Sequence, residues 1–230
     1  MWQDFWPRMW QTIVENGGFL LSAFYTTMLI TFLSFVFGLV VGTVLAILRT
    51  NPSEGKFAKI GRSVSSAYVM LMRGIPDVVL LLLLFFVFLA HLSINPVLIA
   101  ALGIGMTASS YISEILRAAI LSIDRGQMEA AVDLGATRMK AMQRVILPQA
   151  YKRAIPQLGN HLIIIAKSTS IVGFIAVVDL TRAVGQIVAR TFDAIVPYIL
   201  LAMIYMVIVY FLVLLIKFFE VKIFKTRRVL

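Results

Sequence analysis

Four charged side chains interrupt otherwise apolar stretches of this sequence. They are Arg73, Asp77, Glu114 and Lys167. A charged group at the depth of a bilayer is costly unless it is paired or faces a water-filled cavity. We expect these charges to line or brace a central polar cavity that offers groups of both signs. Three neighbouring hydroxyl side chains would add neutral hydrogen bonds: Ser110, Ser168 and Thr169.

Three uses of these charges remain open. Glu114 with Lys167, and Arg73 with Asp77 four residues on, could form ion pairs that only hold helices together. The same groups could contact a solute directly. Long cationic side chains could also reach the lipid interface while their stems stay in an apolar environment.

The residue content excludes several classes of chemistry. The chain has no cysteine, so it has no disulfide framework or thiolate metal site, and His91 and His161 are too far apart in sequence to suggest a metal centre. No Ser-His-Asp set and no glycine-rich phosphate loop is present, so we expect no catalytic residue and no cofactor bound by this chain. A membrane enzyme is therefore disfavoured.

The apolar composition indicates an all-α polytopic membrane protein with one domain, since 60% of the 230 residues are hydrophobic. Residues 1–18, with Trp2, Trp6 and Trp10, suit the membrane interface. The region 19–216 would hold five transmembrane helices, and 217–230 would form a basic tail. The expected spans are about 19–48, 64–90, 97–121, 158–178 and 198–216. We expect a polar loop over 179–196.

The second of these spans has an unusual pattern. Its uninterrupted apolar run, residues 78–90, is too short to cross a bilayer, so the helix must begin near 64–68. This places Arg73 and Asp77 in or near the membrane, and Pro76 is expected to kink or break the helix.

The distribution of basic residues predicts the orientation. Lys and Arg concentrate in the turn after the first span, in region 122–156 and in the tail, which all fall on one side. The positive-inside rule therefore predicts an outer N-terminus and a cytoplasmic C-terminus. It also explains the net charge of +10 without nucleic-acid binding.

Region 122–156 is a polar island between apolar spans. Ala130, Ala131 and Leu134 share one predicted helical face, while Glu129 and Asp133 share another. Gly135 can end or turn this short helix. A second amphipathic run over 137–146 follows, and Pro148 is expected to stop it. Such a helix–glycine–helix segment is suited to binding a soluble partner protein.

The island resembles the signature of the permease subunits of ATP-binding-cassette (ABC) importers. That signature is Glu-Ala-Ala, three residues, Gly, nine residues, Ile, one residue and Leu-Pro; here Val145 stands in place of Ile. The corresponding residues are Glu129, Ala130, Ala131, Gly135, Leu147 and Pro148. Four other segments resemble the polar amino-acid branch of that family: Arg73–Pro76, Tyr111–Arg117, Gly126–Gln127 and Lys167–Ser170.

The resemblance implies a type I ABC importer permease in the bacterial cytoplasmic (inner) membrane. It implies cytoplasmic ATPase subunits that bind ATP and Mg, a second permease subunit, identical or paralogous, and an extracytoplasmic solute-binding protein. The helix around Met128–Leu134 would dock on the ATPase, and the expected coupling residues are Met128, Glu129, Ala130, Ala131, Asp133, Leu134, Gly135, Leu147 and Pro148. Asp77 directly after Pro76 resembles permeases for basic amino acids and opines and so favours a basic amino acid as the solute, while pairing with Arg73 explains this residue equally well.

The main alternative is a stand-alone channel or secondary transporter for small polar solutes. It would explain the intramembrane charges without an ATPase. Against it, the sequence shows no internal repeat and no inverted pair of broken helices.

Overall fold

The computed structural model describes residues 4–51, 53 and 55–225, with side chains to residue 222. These residues form helices and connecting turns, and no strand occurs among them. The helices are α1 (Phe5–Thr50), α2 (Lys56–Gly74), α3 (Asp77–Leu83), α4 (Pro96–Leu121), α5 (Arg125–Asp133), α6 (Arg138–Ala141), α7 (Leu147–Ser168), α8 (Leu180–Thr191) and α9 (Ile195–Lys225). A π turn follows α3 at Leu84–Phe88 and another follows α6 at Met142–Ile146, while Thr169–Ile175 extends α7 as a 3₁₀-helix.

Four segments of the described chain are long and apolar enough to cross a membrane: Phe5–Thr50, Pro96–Leu121, Arg138–Ile175 and Ile195–Lys222. The pair Lys56–Gly74 and Asp77–Phe88 makes a fifth span if the two parts are counted together. The chain bends by 106° at the break between them. The prediction that Pro76 breaks the second span is therefore confirmed, although that helix begins at Lys56, earlier than expected.

The first helix is longer than the predicted span. It runs without interruption from Phe5 to Thr50, so residues 5–18 of the predicted interfacial segment form its beginning. Phe5 and Met9 are buried against Val196, whereas the neighbouring Trp6 and Trp10 are 70% and 69% exposed. Burial of one face explains why the helix extends beyond the stretch that a bilayer requires.

The prediction of a polar loop over 179–196 is wrong, because most of it forms α8. Asp179 caps this helix by accepting hydrogen bonds from the backbone N–H groups of Thr181 and Arg182, both 3.0 Å away. Its buried residues recur at helical spacing: Leu180, Ala183, Val184 and Ile187. Burial raises the pKa of the Asp179 carboxyl, and the two backbone N–H donors oppose that shift.

Pro148 does not stop the second amphipathic run, contrary to the prediction. The chain passes from α6 through the π turn into α7, with Pro148 as the second residue of α7. In the π turn the Leu147 N–H donates to the Met142 carbonyl, five residues back. This shift in hydrogen bonding directly before Pro148 accommodates a residue that has no N–H, so the helix continues.

The C-terminal tail also differs from the prediction. Helix α9 continues through Lys225, so residues 217–225 extend the last span as helix. The remaining predicted tail, residues 226–230, lies outside the described part of the chain.

The chain divides into two units. The first contains the described parts of Met1–Phe35, Pro76–Gly105 and Ile163–Leu214; in its core, Val184 and Ile187 of α8 pack with Leu20 and Leu200. The second contains the described parts of Val36–Ile75, Met106–Leu162 and Leu215–Leu230. In the second unit α1 packs closely against α4 at Gly42. A Cβ added at this glycine would lie only 2.8 Å from Ile112 Cγ2.

Candidate functional site

Glu114 lies at the centre of an ionic cluster in the second unit. Its Oε1 is 2.8 Å from Nη2 of Arg49 and 3.8 Å from Nη1 of Arg73. Its Oε2 is 3.0 Å from Nε of Arg117. Arg49 also approaches Ser113, with Nη1 donating to Oγ at 3.4 Å. One carboxylate thus faces three guanidinium groups, which leaves the cluster with excess positive charge.

The local helices explain why these groups meet. Arg49 and Arg73 lie in the last turns of α1 and α2, where cations are favoured by the helix dipole. Glu114 and Arg117 are three apart on α4 and so share a face. The glycine contact brings α1 onto α4, and the Tyr68 hydroxyl of α2 shares a hydrogen bond of 2.9 Å with Ser109 Oγ of α4.

An open cavity of about 460 Å³ borders this cluster. Its wall consists of Arg49, Ser66, Val69, Met70, Arg73, Gly74, Tyr111 and Glu114. The Arg73 side chain is 46% exposed, while that of Arg49 is 13% exposed. Arg73 is therefore the cation of the cluster most available to a bound anion, and Arg49 serves mainly to hold Glu114.

The ring of Tyr111 contacts two other side chains of the second unit. The guanidinium carbon of Arg73 lies 5.2 Å from the centre of the Tyr111 ring. The imidazole of His161 on α7 is 5.4 Å from the same ring, with the planes tilted by 39°. A cation over an aromatic face is attracted by the ring quadrupole, so Tyr111 helps to position Arg73.

The predicted hydroxyl donors have different surroundings. Ser110 and Thr169 are fully buried, and each donates to a carbonyl of its own helical segment, Thr107 at 2.7 Å and Ala166 at 2.8 Å. Their hydroxyls are thus already satisfied. Ser168 is half-buried at the end of α7.

Asp77 and Lys167 belong to the first unit. Lys167 is exposed in the last turn of α7, and Asp77 is half-buried in the first turn of α3. Neither forms an ion pair with a described residue of its own unit. Helix α2 ends at Gly74, so Arg73 and Asp77 lie on different helices, and an Arg73–Asp77 pair stays a prediction. A Glu114–Lys167 pair stays a prediction.

The predicted coupling residues fall on α5 and the segments that follow it. Asp124 caps α5 by accepting a 2.7 Å hydrogen bond from the Gly126 N–H. No residue of α5 is buried, and Leu134, directly after it, is 90% exposed. The exposed residues include Glu129, Ala130 and Asp133; Met128 and Ala131 are half-buried.

Gly135 ends this element as predicted, with φ of +88°, a conformation that favours glycine. Its N–H donates to the Val132 carbonyl at 2.8 Å. Thr137 then caps α6 by accepting from the Lys140 N–H at 3.3 Å. Leu147 is buried and Pro148 is exposed, so only Leu147 packs inside the unit.

Four residues of the cluster and its surroundings were missed in the sequence: Arg49, Tyr111, Arg117 and His161. The sequence predicts that Arg49 lies in the turn after the first span, but the structure places it within α1. For Tyr111 a signal was available, because it precedes Glu114 by three residues and so shares its helical face. The contact of His161 depends on how α7 packs, which no sequence spacing reveals.

Comparison with known proteins places the chain in a family. Residues 38–225 match the family described as binding-protein-dependent transport system inner membrane component. The L-cystine transport system permease protein of Bacillus subtilis (strain 168) is 37% identical over 212 residues, covering 91% of this chain and 84% of the relative. The arginine transport system permease protein of the same organism is 34% identical over 193 residues, covering 83% of this chain and 86% of the relative.

A solved structure shares both the fold and the sequence pattern. The crystal structure of an amino acid ABC transporter with histidines aligns with a TM-score of 0.80 and 33% identity, over 92% of this chain and 97% of that chain. The chain belongs to the family of binding-protein-dependent transport system inner membrane components. It is thus a transporter permease component with the type I ABC importer permease fold.

Proposed function

We propose that this chain is the membrane-spanning subunit of an importer that moves polar amino acids into the cytoplasm by alternating access. Separate ATPase subunits would bind ATP and Mg and supply the energy. The observation that carries the proposal is α5, a helix of nine residues with no buried residue and with Leu134 exposed at its end. A helix that buries none of its residues in its own chain, with a leucine exposed directly after it, is available for docking on a partner protein.

The connection from this surface to the rest of the second unit supports a mechanical role. Helix α5 is followed by the Gly135 turn, then by α6 and the π turn, which lead without a break into α7. The Gln149 amide of α7 lies 3.5 Å from Gln127 Oε1 of α5. A displacement of α5 by a docked ATPase would therefore be transmitted to α7.

The full assembly under this proposal includes two permease subunits, which are either identical or paralogous, and an extracytoplasmic protein that delivers the solute. The chain would be a multi-pass protein of the bacterial cytoplasmic membrane. Relatives of the chain are named for L-cystine and for arginine, which are both zwitterionic and polar.

The charges suit such a solute. Arg73 is an exposed cation of the excess-positive cluster, and neither Lys167 nor Asp77 has an ion-pair partner among the described residues of its own unit. A carboxylate on the solute pairs with a guanidinium or ammonium group, and an ammonium pairs with a carboxylate. We assign Arg73 to solute contact, and Glu114 with Arg49 and Arg117 to bracing; solute contact by Lys167 and by Asp77 stays a prediction from the sequence.

The docking surface is tested by changing Leu134 to Ser and measuring the affinity of the purified permease for its ATPase subunit. Burying a leucine side chain contributes about 1.5–3 kcal/mol, so the Leu134→Ser change should weaken binding by about tenfold or more. Phe57→Ser is the matched control, because Phe57 is 91% exposed but lies at the start of α2. Equal ATPase affinity in the Leu134→Ser and parent proteins would contradict docking at α5.

A further inference from the structure

His161 is a buried polar side chain without an evident structural use. It is 6% exposed, and its Nε2 has no hydrogen-bond partner among the described residues. Leaving a buried polar group unpaired is unfavourable, and native proteins rarely keep such groups without a reason. An apolar ring would fill the same place without that cost.

The contacts of His161 suggest a use for its ring. Its imidazole lies 5.4 Å from the Tyr111 ring, and the Arg73 guanidinium carbon lies 5.2 Å from that ring. Among the described residues, Arg73 also contacts Glu114, but the distance between Arg73 Nη1 and Glu114 Oε1 is long, at 3.8 Å. The orientation of the Tyr111 ring therefore largely determines where the Arg73 charge lies in the cavity wall.

We propose that Tyr111 and His161 are positioning residues that hold Arg73 at the cavity and link its position to α7. The proposal rests on the proposed function, in which Arg73 contacts the solute. His161 shares α7 with the segment that follows α6 and the π turn, so a displacement of α7 shifts the imidazole against the Tyr111 ring. The Arg73 charge then moves with the ring, and solute affinity changes with the state of the ATPase.

The absence of cysteine in this sequence allows a test that needs no solute. Met70 lines the same cavity and is 74% exposed, so a Met70→Cys substitution places one thiol there. Anionic and cationic methanethiosulfonate reagents then report the local electrostatic potential through the ratio of their reaction rates. The measurement uses the assembled transporter in nanodiscs, with Met70→Cys as the parent.

Arg73→Gln sets the reference, because loss of one positive charge from the cavity wall should lower the anionic-to-cationic rate ratio severalfold. Tyr111→Leu and His161→Leu each remove a ring and should lower the ratio by about twofold or more. Tyr111→Phe and His161→Phe keep an aromatic ring and should leave the ratio at the parent value.

Thermal stability separates positioning from simple packing. The His161→Phe change removes the unpaired nitrogen and should leave the melting temperature equal to the parent or higher. If Tyr111→Leu and His161→Leu lower the melting temperature but keep the parent rate ratio, the rings only pack and the proposal is overturned. A parent-like ratio in Arg73→Gln would also overturn it, because Arg73 would then not set the potential of the cavity.

A second measurement distinguishes this proposal from the proposed function. L-arginine and L-cystine, delivered by the solute-binding protein, are used to stimulate ATP hydrolysis by the assembled transporter. Ring loss should raise the half-maximal solute concentration about three- to tenfold, in line with the strength of a cation–π contact, with the maximal rate retained. If the rate ratios behave as expected but neither amino acid stimulates hydrolysis, the proposed function fails for these solutes and the positioning of Arg73 stands.

Discussion

Glu114 determines how the cationic side chains of the second unit are arranged. Without its carboxylate, three guanidinium groups would face one another with no anion between them. Because the Arg49 side chain is only 13% exposed, the Arg49–Glu114 pair is shielded from solvent more than an ordinary surface pair. The sequence showed Glu114 as an intramembrane charge but did not reveal Arg49 as its partner, since that arginine follows the apolar run.

A double-mutant cycle on Glu114→Gln and Arg49→Gln tests this bracing. Partly buried pairs exceed the contribution of surface pairs, so we expect a coupling energy of about 1–2 kcal/mol in the stability of the detergent-solubilised protein. A cycle on Glu114→Gln and Lys167→Gln tests the pairing predicted from the sequence. A larger coupling in the second cycle than in the first would contradict the assignment of Glu114 to the arginines.

At the scale of helices, the long apolar segments were predictable from hydropathy, and α4 lies within one residue of its predicted range. Helix α8 was not predicted, because its buried face comprises only a few residues among polar ones. Its helical spacing, at Leu180, Ala183, Val184 and Ile187, was the available signal. The continuation through Pro148 could not be predicted, because a π turn has no sequence signature.

The close approach of α1 and α4 depends on Gly42. A Cβ there would lie 2.8 Å from Ile112 Cγ2 and 2.9 Å from the Ser109 carbonyl oxygen, and the backbone atom cannot move away easily. Gly42→Ala should therefore lower the melting temperature, at a cost of about 1–3 kcal/mol for overpacking. Gly17→Ala is the control, since nothing lies within 4 Å of that position and alanine favours helix. Equal stability of both variants would argue against a tight helix contact at Gly42.

The turn between α5 and α6 depends on Gly135. Its φ of +88° is strongly unfavourable for a β-branched residue, so Gly135→Val should reorient α5 relative to α6. We expect membrane insertion to persist while transport per ATP hydrolysed falls severalfold, measured in proteoliposomes. Gly17→Val, at a helical position with open space, serves as the matched control. Intact transport stoichiometry in Gly135→Val would show that the turn does not transmit movement.

At the scale of the whole molecule, the chain combines an exposed short helix, α5, which we propose as the docking site, with charged groups in apolar segments. Neither feature performs a reaction alone, which agrees with membership in a family of transport-system membrane components. The family could be recognised because the island around Glu129–Pro148 resembles the family signature and four other segments resemble its polar amino-acid branch. The identity of the solute depends on the placement of a few charges, which the spacing of residues does not determine.

The most direct test of the central claim is amino-acid stimulation of ATP hydrolysis. The chain is reconstituted with its ATPase subunits and solute-binding protein, and hydrolysis is measured across a panel of amino acids. We expect severalfold stimulation by polar amino acids, with basic ones included. We also expect a half-maximal concentration about tenfold higher for Lys167→Met, because a charge-assisted hydrogen bond contributes about 1.5–3 kcal/mol. A fully assembled transporter that no amino acid stimulates would contradict the account.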